Sequence, residues 1–254
     1  MQKIHDLLTQ FRPQTLGEIV GQQRIVKTLS NMVAKDRLPT ALLFTGEYGS
    51  GKTTMARIIG KTLICERRIK QTEPCNVCDS CRSFIYGSSW SGIYFSASQK
   101  VSDESLTTEI RAVRDANYLF GGRKSFLIID DFDLLPAKQQ EFLRHKLDDC
   151  WPAGHLIAIS PKAESVDKAL LSRMCQFPLT TPLFADMVQW VEALTGQIGV
   201  TIKDNEVIGR LVAVGSSNFR SILKIMQTLY AEDSTWTVEM VDASAMQNEF
   251  NAEF

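Results

Sequence analysis

A glycine-rich octapeptide is the feature that most narrows the folds open to this 254-residue chain. Residues 46–53 read Gly-Glu-Tyr-Gly-Ser-Gly-Lys-Thr, which matches the pattern G-x-x-x-x-G-K-[ST]. An apolar run over 41–45 precedes this segment, and a helical pattern over 52–65 follows it. A loop between a strand and a helix N-terminus wraps backbone N–H groups around phosphate. The alternative is a glycine-rich turn without a ligand, but the flanking strand and helix favour nucleotide binding.

This phosphate loop (residues 46–53) predicts an ATP and Mg²⁺ site. Lys52 is expected to pair with the β- and γ-phosphates, and the Thr53 hydroxyl to ligate Mg²⁺. The glycines are needed because a side chain would block the close approach of the backbone. The predicted nucleotide-binding residues of this segment are Gly46, Gly49, Ser50, Gly51, Lys52, Thr53 and Thr54.

A second apolar run, over 125–129, ends in two carboxylates. At the carboxyl end of a strand, Asp130 can hold Mg²⁺ through water, while Asp131 can orient or deprotonate the attacking water. The alternative is a pair of solvated acids that end a strand. Because the phosphate loop lies at a suitable distance upstream, the sequence favours the catalytic interpretation.

The order of the patterns predicts the domains. A third apolar run covers 155–160, and helical patterns fall between the runs, which is typical of a parallel α/β sheet covered on both faces. After Pro178 the strand patterns stop, and 183–197, 203–214 and 217–230 read as helices. The sequence therefore predicts three parts, namely a nucleotide-binding α/β domain over 1–178, a small all-helical domain over 179–243 and an acidic tail over 244–254.

Four cysteines predict a metal site. Cys75, Cys78 and Cys81 are separated by two residues each, and Cys65 ends the helix that follows the phosphate loop. Four thiolates at this spacing suit a tetrahedral structural zinc ion, so we predict a Zn²⁺ module over 65–81. A disulfide framework is the alternative. Disulfides are rare in the cytoplasm, so this alternative does not suit a cytoplasmic ATPase. The remaining cysteines, Cys150 and Cys175, are interpreted as packing residues.

Composition excludes some classes of protein. No stretch approaches the roughly 18 apolar residues that a membrane helix needs, and the first residues lack the order of a signal peptide. We therefore expect a cytoplasmic protein without a membrane partner. The net charge is −1, and outside the acidic segment from Glu232 onward there are 28 basic and 23 acidic residues. Any contact with nucleic acid must then depend on a few well-placed Lys or Arg side chains.

Together these residues resemble one family, the ATPase subunits of bacterial clamp loaders, the DNA polymerase III gamma/tau type within the AAA+ proteins. The resemblance covers residues 11–230 and includes the phosphate loop and the cysteine module, an insertion that few other ATPases carry. It also includes Arg12-Pro13 and Val20-Gly21-Gln22, which in that family border the adenine. The resemblance implies an AAA+ nucleotide domain that is followed by a helical lid.

Three further matches imply roles for single residues. Residues 171–175 resemble the family's Ser-Arg-Cys motif, whose arginine, here Arg173, reaches the γ-phosphate of a neighbouring subunit. Ser160 falls where the family has a polar residue that senses the γ-phosphate. Arg220 falls where the lid contributes its own arginine. With Lys52 and Asp131, Ser160 and Arg173 complete the catalytic set that the resemblance implies.

The chain also departs from the family pattern. Its second strand ends in Asp130-Asp131 where the family has Asp-Glu, so the catalytic carboxylate is one methylene shorter. The cysteine of the Ser-Arg-Cys motif is displaced by one residue. The family's third, collar domain is missing after the lid, so we expect either a truncated form or a compact relative that assembles differently.

The function that the resemblance implies is an ATP-driven clamp-loader subunit, whose partners are other clamp-loader subunits in a homo- or hetero-oligomer, a sliding clamp and primer-template DNA. Two alternatives stay open: an assembly subunit that binds ATP but hydrolyses it poorly, and an AAA+ loader or regulator of another DNA transaction. Lys100, Arg111 and Arg114 lie where the family faces DNA, but a solvated helix face explains them equally well.

Overall fold

The computed structural model describes residues 6–69, 72–85, 92–98, 102–119, 125–148, 154–204 and 206–250. The helices of this part are α1 (Leu7–Gln10), α2 (Gln23–Ala34), α3 (Lys52–Ile64), α4 (Asp79–Ile85), α5 (Asp103–Leu119), α6 (Ala137–Asp148), α7 (Lys168–Leu171), α8 (Phe184–Ile198), α9 (Glu206–Val214), α10 (Phe219–Glu232) and α11 (Val238–Phe250). The strands are β1 (Ala41–Thr45), β2 (Gly92–Ser96), β3 (Ser125–Asp130), β4 (Gly154–Ile159), β5 (Cys175–Pro178), β6 (Thr201–Ile202) and β7 (Thr235–Trp236).

A five-stranded parallel sheet with the order β2-β3-β4-β1-β5 forms the centre of the molecule. Strands β1, β3 and β4 are almost entirely buried, because both faces of a parallel sheet are covered by helices. The predicted parallel α/β fold is confirmed. Its strand order places the carboxyl ends of β1 and β3 on the same edge as the phosphate loop, with β4 between them.

The sequence predicted the three central strands but not the two at the sheet edges. In β2 and β5, buried residues are mixed with half-buried and exposed ones. Neither strand therefore contains the continuous apolar run that predicted β1, β3 and β4. Pro178 ends β5 at the edge of the sheet, where a missing backbone donor is tolerated.

Two apolar clusters lie on opposite faces of the sheet. Side chains alternate along β1, so Leu42 and Phe44 join the cluster that includes α2 and α3, whereas Leu43 joins the cluster that includes α5 and α6. The first cluster is closely packed around the Phe126 ring. A Cβ on Gly60 of α3 would lie 2.6 Å from that ring, so the helix approaches the sheet as closely as it does because Gly60 has no side chain.

The helical region (residues 184–250) has its own apolar cluster around the fully buried Trp236. Helices α8, α9 and α10 agree with the three predicted helices to within three residues at either end. Helix α1, from the other end of the chain, packs into the same cluster through Leu7. In the described part of the chain, no helix combines the length and apolarity needed to cross a bilayer.

Two predictions for this region need correction. The region is not all-helical, because β6 pairs with β7 in parallel. Strands of two residues are too short to leave a periodic pattern in the sequence. The expected acidic tail over 244–254 is also wrong over 244–250, which continue α11. Val241 and Ala245 of this helix are buried one turn apart, but two residues are too few to show an apolar stripe in the sequence. Residues 251–254 lie outside the described ranges.

Candidate nucleotide site and cysteine cluster

The phosphate loop joins the carboxyl end of β1 to the first turn of α3. Gly46, Gly49 and Gly51 have φ angles of 134°, 80° and 97°, a region that favours glycine. A Cβ on Gly46 would also lie 2.3 Å from the carbonyl oxygen of Leu179. The loop therefore needs glycine for its shape, and it ends at a helix N-terminus, whose free N–H groups and dipole favour anions.

Lys52 lies at the start of α3 and is largely buried. Its Nζ donates to the carbonyl oxygens of Gly46 and Glu47 at 2.8 and 2.7 Å and lies 5.4 Å from the centre of the Tyr48 ring. Burial lowers the pKa of Lys52, which the charge of Asp130 partly offsets. The lysine is thus folded back over the loop, where its ammonium group is available to an anion.

The Ser50 hydroxyl is buried within the loop, and the described part of the chain offers it no hydrogen-bond partner. Buried polar groups are nearly always paired, so an unpaired one indicates a missing partner. A phosphate oxygen held by the loop is a chemically suitable acceptor. This hydroxyl supports the fit of a nucleotide to the loop.

The carboxylates that follow β3 face the same loop. Thr53 Oγ1 donates to Asp130 Oδ2 at 2.9 Å, and the Tyr94 hydroxyl donates to the same oxygen at 2.6 Å. Asp131 has a left-handed backbone, with φ of 53°, and its Oδ2 accepts a hydrogen bond of 3.0 Å from Ser96 Oγ. A hydroxyl next to a carboxylate is a donor set that suits Mg²⁺, which prefers hard oxygen ligands.

A cavity of about 320 Å³ opens beside these groups. This volume is at the lower end of the range of about 300–1,000 Å³ that is usual for ligand sites. The predicted nucleotide and catalytic residues that line it are Arg12, Pro13, Val20, Gly49, Ser50, Gly51, Lys52, Thr53, Thr54, Asp130, Asp131 and Arg220. Gly46 shapes the loop but does not line the cavity.

The sequence missed most of the apolar wall of the cavity, which is formed by Leu8, Phe11, Ile19, Trp190, Phe219 and Leu223. The Trp190 and Phe219 rings meet edge to face, with their centres 4.9 Å apart. In the sequence, both occupy ordinary apolar positions of helices and cannot be told from core residues. Only the position of Phe219 next to Arg220 could have indicated a role.

A contact between the helical region and the loop was also missed. The side chain of Asn218 caps α10, with Oδ1 accepting from the backbone N–H groups of Arg220 and Ser221. Its Nδ2 donates to the carbonyl oxygen of Tyr48 at 2.6 Å. This hydrogen bond holds the start of α10, and with it Arg220, against the phosphate loop.

Two predicted catalytic residues lie outside the cavity. Ser160 is fully buried after β4, and its Oγ donates to the carbonyl oxygen of Lys162 at 2.9 Å, so its hydroxyl is engaged within its own turn. Arg173 lies on the surface, where its Nε and Nη2 bind the Asp148 carboxylate at 2.6 and 3.0 Å. The guanidinium holds the pKa of Asp148 below its usual value.

The remaining predicted residues lie away from this site. Arg111 is exposed on α5, and Arg114 lies on the same helix, but its side chain is outside the described part, as is Lys100. Cys175 packs, half-buried, against the apolar cluster on the α3 face, in agreement with its interpretation as a packing residue. Cys150 lies outside the described ranges.

The four cysteines predicted as zinc ligands converge. The Sγ atoms of Cys65, Cys75, Cys78 and Cys81 all lie within 4.8 Å of one another, and none is in a disulfide. Four sulfurs at ~2.3 Å from a tetrahedral zinc ion would be about 3.8 Å apart, so the cluster fits Zn²⁺ with a small contraction. Burial raises the pKa of Cys75, but backbone N–H groups, led by that of Val77, outweigh it and bring this pKa to about 6.

Comparison with known proteins identifies the relatives of the chain. The family model described as "DNA polymerase III, delta subunit" matches residues 21–182. The DNA polymerase III subunit gamma of Buchnera aphidicola subsp. Baizongia pistaciae is 32% identical over 178 residues, which are 69% of this chain and 46% of that protein. The DNA polymerase III subunit tau of Escherichia coli K12 is 31% identical over 175 residues, which are 68% of this chain and 26% of that protein.

The chain thus spans between about a quarter and a half of these curated relatives. Among solved structures, the Thermotoga maritima RuvB Holliday junction branch migration motor superposes with a TM-score of 0.67 at 17% identity, over 92% of this chain and 72% of that chain. At this identity the likeness concerns the fold alone. The family match covers more than half of the chain. The chain therefore belongs to the family of DNA polymerase III subunits that the matching model describes by its delta subunit and that the curated relatives represent by gamma and tau.

Proposed function

We propose that this chain is an ATP-driven clamp-loader subunit, which helps to open a sliding clamp and to place it on primer-template DNA together with other clamp-loader subunits. The observation that carries the proposal is the convergence of the Lys52 ammonium, the Thr53 hydroxyl and the Asp130 carboxylate on one cavity. Lys52 and Thr53 follow β1, Asp130 ends β3, and both strands lie next to β4 in the sheet.

Each side of the cavity has a separate task. Lys52 and Arg220 supply the positive charge that holds the phosphates, and the backbone of the phosphate loop surrounds them. Thr53 and Asp130 would hold Mg²⁺, which neutralises charge on the phosphate oxygens. The apolar wall with Trp190 and Phe219 offers a surface for the base.

Asp131 is the group that would orient or deprotonate the attacking water. It lies next to Asp130 and receives a hydrogen bond from Ser96, so its carboxylate is held at the edge of the cavity. Arg173 would act on the nucleotide of a neighbouring subunit, in agreement with its place on the surface outside its own cavity. Ser160 has no such support, because its hydroxyl is engaged by its own turn.

The cysteine cluster would hold a structural Zn²⁺, bound by Cys65, Cys75, Cys78 and Cys81. Zinc would cross-link the end of α3 to the loop before α4 and to α4 itself, which carries Cys81, and it would take no part in the chemistry of ATP. The donor set of four sulfurs, without an open position, is that of a structural site.

The nucleotide assignment is tested by Lys52→Ala. The substitution removes a charge-assisted contact to phosphate, commonly worth about 1.5–3 kcal/mol, so we expect ATP affinity to fall by more than about tenfold. Calorimetry on the full chain measures it, with Lys35→Ala, an exposed lysine after α2, as the matched control. An unchanged affinity in Lys52→Ala would contradict the assignment.

The clamp-loader assignment needs its own measurement. With ATP, the wild-type chain and its co-subunits should be retained on an immobilised sliding clamp, and an assembly that contains Lys52→Ala should be retained less. A lack of retention on the clamp would favour an AAA+ protein of another DNA transaction. Retention that does not depend on ATP or on Lys52 would contradict the ATP-driven role.

A further inference from the structure

A tyrosine on the edge strand β2 reaches the carboxylate assigned to Mg²⁺. The hydroxyl of Tyr94 donates to Asp130 Oδ2 at 2.6 Å, and the same oxygen accepts the Thr53 hydroxyl at 2.9 Å. The other oxygen of Asp130 accepts the backbone N–H of Asp131 at 3.0 Å. The carboxylate is therefore fixed from three directions, and the phenol is the contact that the phosphate loop and β3 do not supply.

The register of the sheet explains why Tyr94 is in reach. Strand β2 runs parallel to β3, with Tyr94 opposite Ile128 and Ser96 opposite Asp130. Residues two apart on a strand share one face, so Tyr94 and Ser96 point to the same side. Each donates to one of the two neighbouring carboxylates, Tyr94 to Asp130 and Ser96 to Asp131. Strand β2 thus places two hydroxyl donors beside the end of β3.

Arg57 supports the tyrosine ring from the other side. Its guanidinium carbon lies 5.0 Å from the centre of the Tyr94 ring and 5.4 Å from that of Phe84. Arg57 follows Thr53 by four residues on α3, so both side chains project from the same face of the helix. The helix that presents the Thr53 hydroxyl therefore also holds the ring whose hydroxyl meets the same oxygen.

The chemistry of the pair makes the phenol the donor. An ionised carboxylate can only accept, so the hydrogen bond between Tyr94 and Asp130 uses the phenol proton. A short bond from a hydroxyl to a carboxylate is charge-assisted and is about twice as strong as one between neutral groups.

We propose that Tyr94 is a positioning residue of the Mg²⁺ site: its phenol fixes the orientation of the Asp130 carboxylate toward Thr53, and Arg57 fixes the phenol. This inference rests on the proposed nucleotide function. Groups that orient a metal-binding side chain commonly change metal affinity by about 10–100-fold when removed. Tyr94 touches neither the phosphates nor the water in this role, and it acts through Asp130.

The test is Tyr94→Phe, which keeps the ring and its contact with Arg57 and removes only the hydroxyl. ATP affinity of the full chain is measured by calorimetry with excess Mg²⁺ and again without Mg²⁺. No chelator is added, because it would compete for the cysteine cluster. We expect the ATP affinity of the variant to be about tenfold weaker with Mg²⁺ and unchanged without it. The Mg²⁺ concentration that gives half of the full effect on ATP affinity should be about tenfold higher than for wild type.

Two further variants sharpen the result. Tyr230→Phe, the same change on α10 in the helical region, should alter neither affinity. Arg57→Met should show a smaller loss that also appears only with Mg²⁺, because it loosens the ring but leaves the hydroxyl.

An equal loss with and without Mg²⁺ overturns the inference, because the phenol would then support the fold or the nucleotide directly. The inference is also overturned if Tyr94→Phe needs the same Mg²⁺ concentration as wild type, or a lower one, for the half-maximal effect on ATP affinity. Asp130 would then not need the phenol. A wild-type chain that binds ATP no better with Mg²⁺ than without it overturns the proposed function as well, so the two failures are distinguishable.

Discussion

The two ends of helix α3 carry two different kinds of site. At its N-terminus, Thr53 meets Asp130 from 77 residues further along the chain, and Tyr48 meets Asn218 from 170 residues further along. At its C-terminus, the cysteine cluster draws all four thiols from residues 65–81. One end is assembled by the whole fold, and the other is built from a single short segment.

This difference decides how each site depends on stability. A metal that joins a short segment contributes its binding energy directly to the folding of that segment. The phosphate loop, in contrast, obtains its partners only after β2 and β3 have paired in register. We therefore expect substitutions in the cysteine cluster to lower the stability of the protein first. Substitutions around the phosphate loop should instead lower ATP affinity or the rate of hydrolysis.

The two ends are nevertheless connected. The buried Lys61 donates to Gln14 Oε1 and to Asn76 Oδ1, both at 2.6 Å. The Glu73 carboxylate accepts the backbone N–H of Leu16 at 2.7 Å. These bonds tie the cysteine loop to the segment that carries Arg12, Pro13 and Val20, which border the cavity. Loss of the metal should therefore weaken the nucleotide site to a smaller degree.

The largest effect is expected from Cys78→Ser. Structural zinc sites in small domains contribute about 10–16 kcal/mol at neutral pH, so the variant should lose its zinc and unfold at a much lower temperature. Elemental analysis should find one zinc ion per wild-type chain and less in the variant, and thermal unfolding measures the rest. ATP affinity should fall by only a few-fold in the protein that stays folded.

Cys175→Ser is the matched control, because Cys175 is half-buried and lies outside the cluster. It should keep its zinc and most of its stability. A wild-type chain that contains no metal and is fully stable would show that the four cysteines are loop residues, and the contrast between the two ends of α3 would then disappear.

A smaller but still large effect is expected from Arg173→Ala. This variant tests whether the nucleotide site at the N-terminus of α3 is completed by an arginine from a neighbouring chain. Because the arginine binds Asp148 and not its own cavity, ATP affinity of the isolated chain should be nearly unchanged. Hydrolysis by the assembly should fall by ~10³-fold or more if Arg173 behaves as other arginine fingers do. Steady-state hydrolysis and calorimetry measure the two quantities, and an equal loss of ATP affinity in the isolated chain would indicate a role within the same chain.

The same contrast explains what could be predicted from the sequence. The cysteine cluster and the phosphate loop were predicted because their residues lie within short segments with fixed spacing. Asp130 was predicted because it ends a buried strand. Tyr94 and Asn218 were missed, since their contacts depend on strand register and on how the helical region packs against the loop. No pattern within a short window encodes either one.

Resemblance to a family was a useful but uneven guide to the more distant residues. Arg220 lines the cavity as the resemblance implied, whereas Ser160 does not. Both positions were inferred by order along the chain, and order fixes the strand or helix but not the direction of a hydroxyl. The hydroxyl of Ser160 is instead drawn to the carbonyl oxygen of Lys162, two residues away in the same turn.

The smallest expected effect concerns Asp131, where the assembled site departs from its family. A carboxylate must lie within about 2.6–3.2 Å of the attacking water to orient it or take its proton. An aspartate ends about one carbon–carbon bond, ~1.5 Å, short of a glutamate on the same backbone. The left-handed backbone of Asp131 and its bond to Ser96 hold the short side chain at the rim of the cavity. We therefore expect the chain to bind ATP normally and to hydrolyse it slowly.

Asp131→Glu should then raise steady-state hydrolysis, by about tenfold if reach alone is limiting, which corresponds to ~1.4 kcal/mol in the barrier. Each variant is assayed in the complete assembly with clamp and primed DNA, and Asp131→Asn, which keeps the shape and removes the base, should be slower than wild type. A left-handed backbone suits aspartate better than glutamate, so the substitution carries a cost that works against the gain. If wild type already hydrolyses ATP fast and Asp131→Glu is slower, the backbone has adapted to the shorter acid. The fold around the nucleotide site would then compensate for the missing methylene.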